Sequence, residues 1–263
     1  MNLEQFNRFC TSKFRFANEA IKDLIKNKNT DIVQYLLAKN GLFIMVNLPG
    51  FAVLKKTDIV YKYFNNDLMD LSDQVIIKFP KIPLKVIQTV INIFNKYTHE
   101  VYCILYYDKT DYNFVLYFPE QECGAASISY DRSKDEYHNK PSKYLKCMDF
   151  HSHPFSNSNV GHHVNHSSTD VHDSLENFCI SCVIDPKDGI GTSVFKFEAP
   201  VPVLNTLIPV PESEILDPYS KAQVILDYDP KRIVVKSSNL SKYDMLRELN
   251  DWKLSTELDT EEF

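Results

Sequence analysis

The spacing of apolar positions divides this chain into helical and extended stretches. From Pro83 to Lys96, Val86, Ile87, Val90, Ile91 and Phe94 recur at the i, i+3, i+4, i+7 spacing of one helical face, which predicts an amphipathic helix. Val101–Tyr107 and Tyr144–Phe150 mix apolar and β-prone residues and read as strands. Phe178–Ile184 is apolar nearly throughout, as expected of a strand buried on both faces. Nearer the N-terminus, Ile32–Ala38 and Leu42–Val46 flank Lys39-Asn40-Gly41, a hairpin pattern in which Asn40-Gly41 suits a type I′ turn. Leu3 to about Lys28 is helix-compatible, with Phe6, Phe9, Phe14, Phe16, Ile21, Leu24 and Ile25 as its apolar residues, and Gln74–Phe79 reads as a strand. Towards the C-terminus, Pro200-Val-Pro-Val and Pro209-Val-Pro211 predict an extended connector. A strand at Arg232–Lys236, a helix at Tyr243–Leu254 carrying Trp252, and an acidic end at Glu257–Phe263 follow.

The densest chemistry lies at His151-Ser-His153-Pro154, followed by Ser167-Ser-Thr-Asp170. On a strand, residues i and i+2 face the same side, so His151 and His153 can converge on one ion while Ser152 points away. The run Thr169–Glu176 is helix-compatible and is preceded by hydroxyl residues suited to an N-cap, which puts Ser167 and Asp170 at or beside a helix start. Two imidazoles and a carboxylate can then serve as three ligands and leave the fourth tetrahedral position of a zinc ion open to water, the arrangement of a catalytic zinc site. Two His and one Asp also suit iron or manganese.

His-x-His-Pro followed by Ser-x-x-Asp resembles the signature of the JAMM (MPN-plus, JAB-domain) zinc metalloproteases. That pattern also requires an upstream glutamate at the start of the strand after the first helix. Here Glu100 stands between the predicted helix at Pro83–Lys96 and the strand Val101–Tyr107. Its rivals Glu120 and Glu122 lie in Pro119-Glu-Gln-Glu-Cys, which reads as a turn. The resemblance implies an α/β (α+β) fold, an MPN-type mixed β-sheet flanked by helices. It places a metalloprotease domain at 74–200, beginning with the strand Gln74–Phe79, between an N-terminal accessory region at 1–73 and a C-terminal extension at 201–263.

It also implies a mechanism. One zinc held by His151, His153 and Asp170 would activate water, Glu100 would act as general base and then general acid, and Ser167 would donate to the oxyanion. Members of the family cleave isopeptide or peptide bonds after ubiquitin or ubiquitin-like modifiers, so such a modifier or its conjugate is the implied partner. Tyr35–Phe43 and Phe118-Pro-Glu-Gln121, together with the His-Ser-His-Pro domain, also resemble the bacterial JAB-domain proteins of plasmid and mobile-element PRTRC systems. Those systems also encode an E1-like enzyme, a second implied partner. Twelve residues, Phe155–His166, separate Pro154 from Ser167, longer than the connection usual in the family. The insert carries His162, His163 and His166, with His172 and Asp173 close behind. An exposed polar loop accounts for it better than a second metal site, because a His-rich tract is only compositional evidence of metal binding.

Composition narrows the picture. At 44% hydrophobic and 13% aromatic, the chain can bury a substantial core. A net charge of −6 gives no basic footprint for nucleic acid. Six cysteines scattered at 10, 103, 123, 147, 179 and 182 form no disulfide framework, and Cys179-Ile-Ser-Cys182 within a buried strand points its thiols to opposite faces. With neither a signal-peptide layout at Met1–Phe6 nor an apolar run of membrane length, a reduced cytoplasmic setting is the expectation. Two other functional classes are compatible with the residues: a catalytically silent MPN scaffold, and a zinc hydrolase of small peptides or amides.

Overall fold

The computed structural model describes residues 13–25, 32–59, 67–124, 127–153, 166, 168–185 and 194–236. In chain order, the first half holds strand β1 (Lys13–Phe16), helix α1 (Ala17–Ile25), and strands β2 (Val33–Ala38), β3 (Gly41–Asn47), β4 (Phe51–Lys56), β5 (Gln74–Ile77) and β6 (Ile82–Pro83). Helix α2 (Leu84–Phe94) leads to β7 (Tyr102–Asp108), β8 (Asn113–Tyr117), β9 (Gln121–Cys123), β10 (Ile128–Tyr130) and β11 (Tyr144–Ser152). Helix α3 (Ser168–Asn177), β12 (Ile180–Asp185), β13 (Val194–Val201) and β14 (Thr206–Pro209) come next. Helix α4 (Glu212–Ile215), β15 (Leu216–Asp217), β16 (Val224–Asp227) and β17 (Ile233–Val235) complete the set. The mixed α+β class expected from the sequence is what the chain adopts.

Two sheets dominate. A five-stranded sheet runs β1-β2-β3-β4-β5, and a seven-stranded sheet runs β14-β13-β12-β11-β7-β8-β16. Strict alternation along β3 and β4 buries the first sheet on both sides. Phe43, Met45, Ala52 and Leu54 meet Ala17, Ala20 and Leu24 of α1, while Ile44, Val46 and Val53 face the other way into the main core. That core also takes Val86, Val90 and Phe94 of α2 and one face of the large sheet, including Cys103, Leu105, Phe150 and Cys182. The opposite face of the large sheet carries a tyrosine cluster built on Tyr102, Tyr106 and Tyr117. Phe94 meets Phe118 edge to face with centroids 6.4 Å apart. Phe94→Ala is therefore expected to cost about 3–5 kcal/mol in urea denaturation with an unchanged m-value, and a loss below about 1 kcal/mol would refute this placement of the core.

The structure corrects several expectations. Lys13–Phe16 is a strand paired in parallel with β2, so the helix expected from Leu3 to Lys28 is confined, among the described residues, to α1. The hairpin turn falls one residue early. Ala38 pairs with Gly41, so Lys39-Asn40 form the loop, and neither has positive φ, whereas Gly41 sits at φ +144°. The Asn40 side chain is engaged instead with the backbone of Leu71, accepting from its N–H at 3.0 Å and donating to its carbonyl at 2.6 Å. Strand β5 pairs with β4, not with the large sheet, while β14 and β16 beyond residue 200 belong to the large sheet. The sheet holding His151 thus does not begin at 74 or end at 200. The residues expected to be an extended connector form β13, a 3-10 turn at Pro202–Leu204 and β14, and the expected turn at 119–123 includes strand β9. The strand expected at Arg232–Lys236 is present as β17. The helix expected at 243–254, with Trp252, and the acidic end lie outside the described residues.

Candidate metal centre

Strand β11 lies in the middle of the large sheet, antiparallel to β7 and parallel to β12. A register shift between Lys146 and Met148 marks a β-bulge, and it decides which residues face which side. Beyond it, Met148 and Phe150 enter the main core, while Asp149 and His151 stand opposite Ile104 and Tyr102 on the tyrosine-bearing face. His153 continues that face, and its N–H donates to the Ile184 carbonyl at 2.9 Å, carrying the β12 ladder one residue further.

Ser152 ties the histidine pair to Glu100. The Val101 N–H donates to Ser152 Oγ at 2.9 Å, and the Ser152 N–H donates to the Val101 carbonyl at 3.1 Å. On the other side, the Tyr102 N–H donates to Gln121 Oε1 at 2.9 Å, and Gln121 Nε2 donates back to the Tyr102 carbonyl at 2.8 Å. Glu100 therefore immediately precedes a backbone gripped on both sides. Ser152→Ala leaves the buried Val101 N–H without its acceptor, and a destabilisation of about 1–3 kcal/mol is expected by thermal or chemical denaturation. An unchanged stability would show that this bond does not hold the strand start.

The helix start supplies the third side chain, since Asp170 lies in the first turn of α3. His151 Nε2 is 3.4 Å from Asp170 Oδ1, and His153 Nε2 is 3.5 Å from Asp170 Oδ2. One potential ligand atom from each residue lies within 4.8 Å of the others. A tetrahedral zinc with ligands at about 2.0–2.2 Å would space its ligand atoms roughly 3.3–3.6 Å apart; the histidines now contact different oxygens of Asp170, and side-chain rotation would bring one oxygen to both. Buried His151 Nε2 and His153 Nδ1 have no aligned hydrogen-bond partner among the described residues. The orphaned His151 Nε2 beside the Asp170 carboxylate is what a metal ion would satisfy, and His153 turns its Nε2 to the same carboxylate, so these residues fit one.

The electrostatics agree. Burial pushes the Glu100 carboxyl up and the Asp170 charge adds to this, while His153 and His151 pull it back, leaving it at about 7. Burial would lower the His151 imidazolium, but the Asp170 carboxylate, with help from Glu100, raises it to about 9. Burial likewise opposes ionisation of Asp170, yet His151 and His153 hold its carboxyl well below the usual carboxylate range. The cluster behaves as one coupled set in which the negative charge rests on Asp170.

The structure thus brings His151, His153 and Asp170 together, with Glu100 in electrostatic reach of all three. Ser167, Pro154, His162 and His163 lie outside the described residues. Glu120 and Glu122 point elsewhere, the first to Lys134 and the second to Lys236. His172 is exposed and 3.5 Å from Glu176, away from the site. Cys182 enters the main core and Cys179 donates to Asp149 Oδ2 at 2.9 Å, so the pair shares no ligand point. The expectation of an exposed polar loop over 155–166 can be compared with the structure only at His166, where it does not hold, since 155–165 lie outside the described residues. His166 does not lie on an exposed loop: its side chain is 1% exposed, its ring centre is 5.8 Å from that of His151, and its Nδ1 is 2.5 Å from Glu198 Oε2. Sequence reading missed Glu198, although the polar alternation of Lys196 and Glu198 within an otherwise apolar strand could have flagged a polar face on β13.

No protein-family model matches this chain, and no curated protein matches it. Among the described residues, no helix is long and apolar enough to cross a membrane.

Proposed function

We propose that this protein is a metal-dependent hydrolase of the JAMM type that cleaves an amide bond, isopeptide or peptide, adjoining a ubiquitin-like modifier. The observation that carries this reading is the convergence of His151, His153 and Asp170 beside a glutamate whose carboxyl is held at about 7. A zinc ion bound there would supply Lewis acidity toward the scissile carbonyl and a water that ionises near neutral pH. Glu100 takes the proton of the attacking water and returns it to the departing amine. Ser167 donates a hydrogen bond to the oxyanion as it forms. His151 and His153 are presented from a rigid central strand, whereas Asp170 comes from a helix turn, so the set needs only side-chain adjustment to close on an ion. In this reading a ubiquitin-like modifier or its conjugate is the partner, with an E1-like enzyme acting upstream.

The test begins with elemental analysis of the purified protein, wild type beside His153→Ala. It continues with cleavage assays on ubiquitin-like isopeptide conjugates and on short peptides. About one zinc per chain, lost in the variant, together with cleavage that needs the folded modifier, supports the proposal. Cleavage of short peptides alone moves the assignment to a small-amide hydrolase. Absence of metal after zinc is supplied leaves a silent scaffold. Iron or manganese in place of zinc would keep the site and change the cofactor.

A further inference from the structure

His166 and Glu198 form a second polar unit at the edge of the metal centre, and the hydrolase reading gives them no part. Glu198 stands on β13 opposite Ser181 of β12, two strands from β11, on the sheet face that carries His151. Its carboxylate is fixed by Lys196 Nζ at 2.7 Å and by His166 Nδ1 at 2.5 Å, the latter bent away from a straight hydrogen bond. Burial works against the Glu198 charge, but the hydrogen-bonding groups of His166 and Lys196 outweigh it and hold the carboxyl below its ordinary range. That leaves the other nitrogen of the ring. Neither ring nitrogen has an aligned partner among the described residues, but Nδ1 keeps its short contact to Glu198 while the buried Nε2 has none, and the ring meets that of His151 at 76°.

A buried ring nitrogen without a partner is costly to maintain, and such a group in a native protein calls for water, an ion, a ligand or a catalytic role. Metal ligation is the less apt use here. His166 is outside the mutually close set of His151, His153 and Asp170, and that set already matches a three-ligand site with one position free. A carboxylate on the Nδ1 side favours the tautomer with its proton there, which leaves Nε2 a lone-pair acceptor. The complementary group on an amide substrate is its N–H.

We propose that His166, held on its Nδ1 side by Glu198, is a substrate-binding residue of this centre whose Nε2 accepts a hydrogen bond from the N–H of the amide presented to the metal. The inference rests on the hydrolase reading and adds to it the residue that would orient the scissile amide. It explains why a carboxylate, a lysine and an imidazole are assembled two strands away from the ligands. It also gives His166, four residues before Asp170, a role in the same site as the helix start that follows it.

The test uses the full chain loaded with cobalt(II), whose visible spectrum reports coordination, titrated with acetohydroxamate, a small amide-like probe with both a carbonyl and an N–H. Wild type, His166→Ala and His166→Gln are compared. Cobalt content is expected to be equal in all three. Probe affinity is expected to fall about 5- to 10-fold in the alanine variant and to recover in the glutamine variant, which again offers an acceptor near the Nε2 position. Loss of cobalt from His166→Ala would overturn the proposal by making His166 a ligand. Equal probe affinity in all three proteins would reduce it to packing, and a glutamine variant no better than alanine would remove the acceptor role. Failure of the wild type to take up cobalt would refute the metal centre itself, visible before any variant is compared. Cobalt uptake without probe binding would refute the free position and this proposal while leaving the ligand set intact.

Discussion

Replacing Glu100 with Gln should leave metal content at the wild-type level and lower amide hydrolysis by about 10²- to 10⁴-fold, the range associated with losing a positioned general base. Glutamine preserves the size of the side chain and its attachment to the Val101 backbone gripped by Ser152, so a structural role would survive the change. The apo protein supplies an independent readout. Because burial raises the folded-state pKa of Glu100 to about 7 from an ordinary 4.5, the folded protein holds a proton that the unfolded chain has released between those values. Stability contributed by protonated Glu100 is thus full below about pH 4.5 and is lost as pH rises toward 7. The Gln variant has no such loss, so without metal it should unfold at higher denaturant than wild type at pH 8 and match it more closely at pH 5. Retained turnover would show that another group is the base; an unchanged pH dependence of unfolding would show that the carboxyl is not buried as described.

Asp170→Ala should empty the metal site. Asp170 carries the negative charge of the cluster and touches both histidines, so its removal takes away a ligand and the charge that compensates the ion. Loss of a group that only hydrogen-bonds to a ligand commonly costs 10- to 100-fold in affinity, and loss of a carboxylate ligand should exceed that. His151→Ala should behave likewise. His172→Ala, altering an exposed side chain on the same helix, should leave zinc affinity unchanged, and so should changes at His162 or His163. Measurement by competition with a chromophoric chelator would decide the matter. A wild-type affinity in Asp170→Ala, or a site emptied by changing His163, would mean that the ligand set has been misassigned.

The parts of this fold that were legible in the sequence are those specified locally. Helix α2, strands β7, β11 and β12, and the helix that begins just before Asp170 follow from periodicity over a few turns or a few residues, and the i, i+2 spacing put His151 and His153 on one side of a strand. What was not legible depends on pairings between distant segments. Lys13–Phe16 lies within a helix-compatible stretch and becomes a strand because β2 offers it an edge. Gln74–Ile77 has the character of a strand but nothing in its residues says whether β4 or β7 is its neighbour. The bulge at Lys146–Met148 is likewise invisible to pattern reading, yet without it the parity of β11 would turn His151 toward the core. His166 reads as polar loop because asparagine and serine surround it, and only the fold brings Glu198 to it.

The placement of sulfur offers a clock for the motions of the sheet. Cys103, Cys123, Cys147, Cys179 and Cys182 are all buried and unbridged, and burial raises every one of their thiols, Cys123 to about 12. At neutral pH they are protonated and poor nucleophiles, so an alkylating reagent can reach them only when a strand lets go. Four of them sit on or immediately beside β7, β11 and β12, the strands that bear or flank the histidine pair. Their rate of labelling would report how often the floor of the site opens, residue by residue, without a probe being introduced.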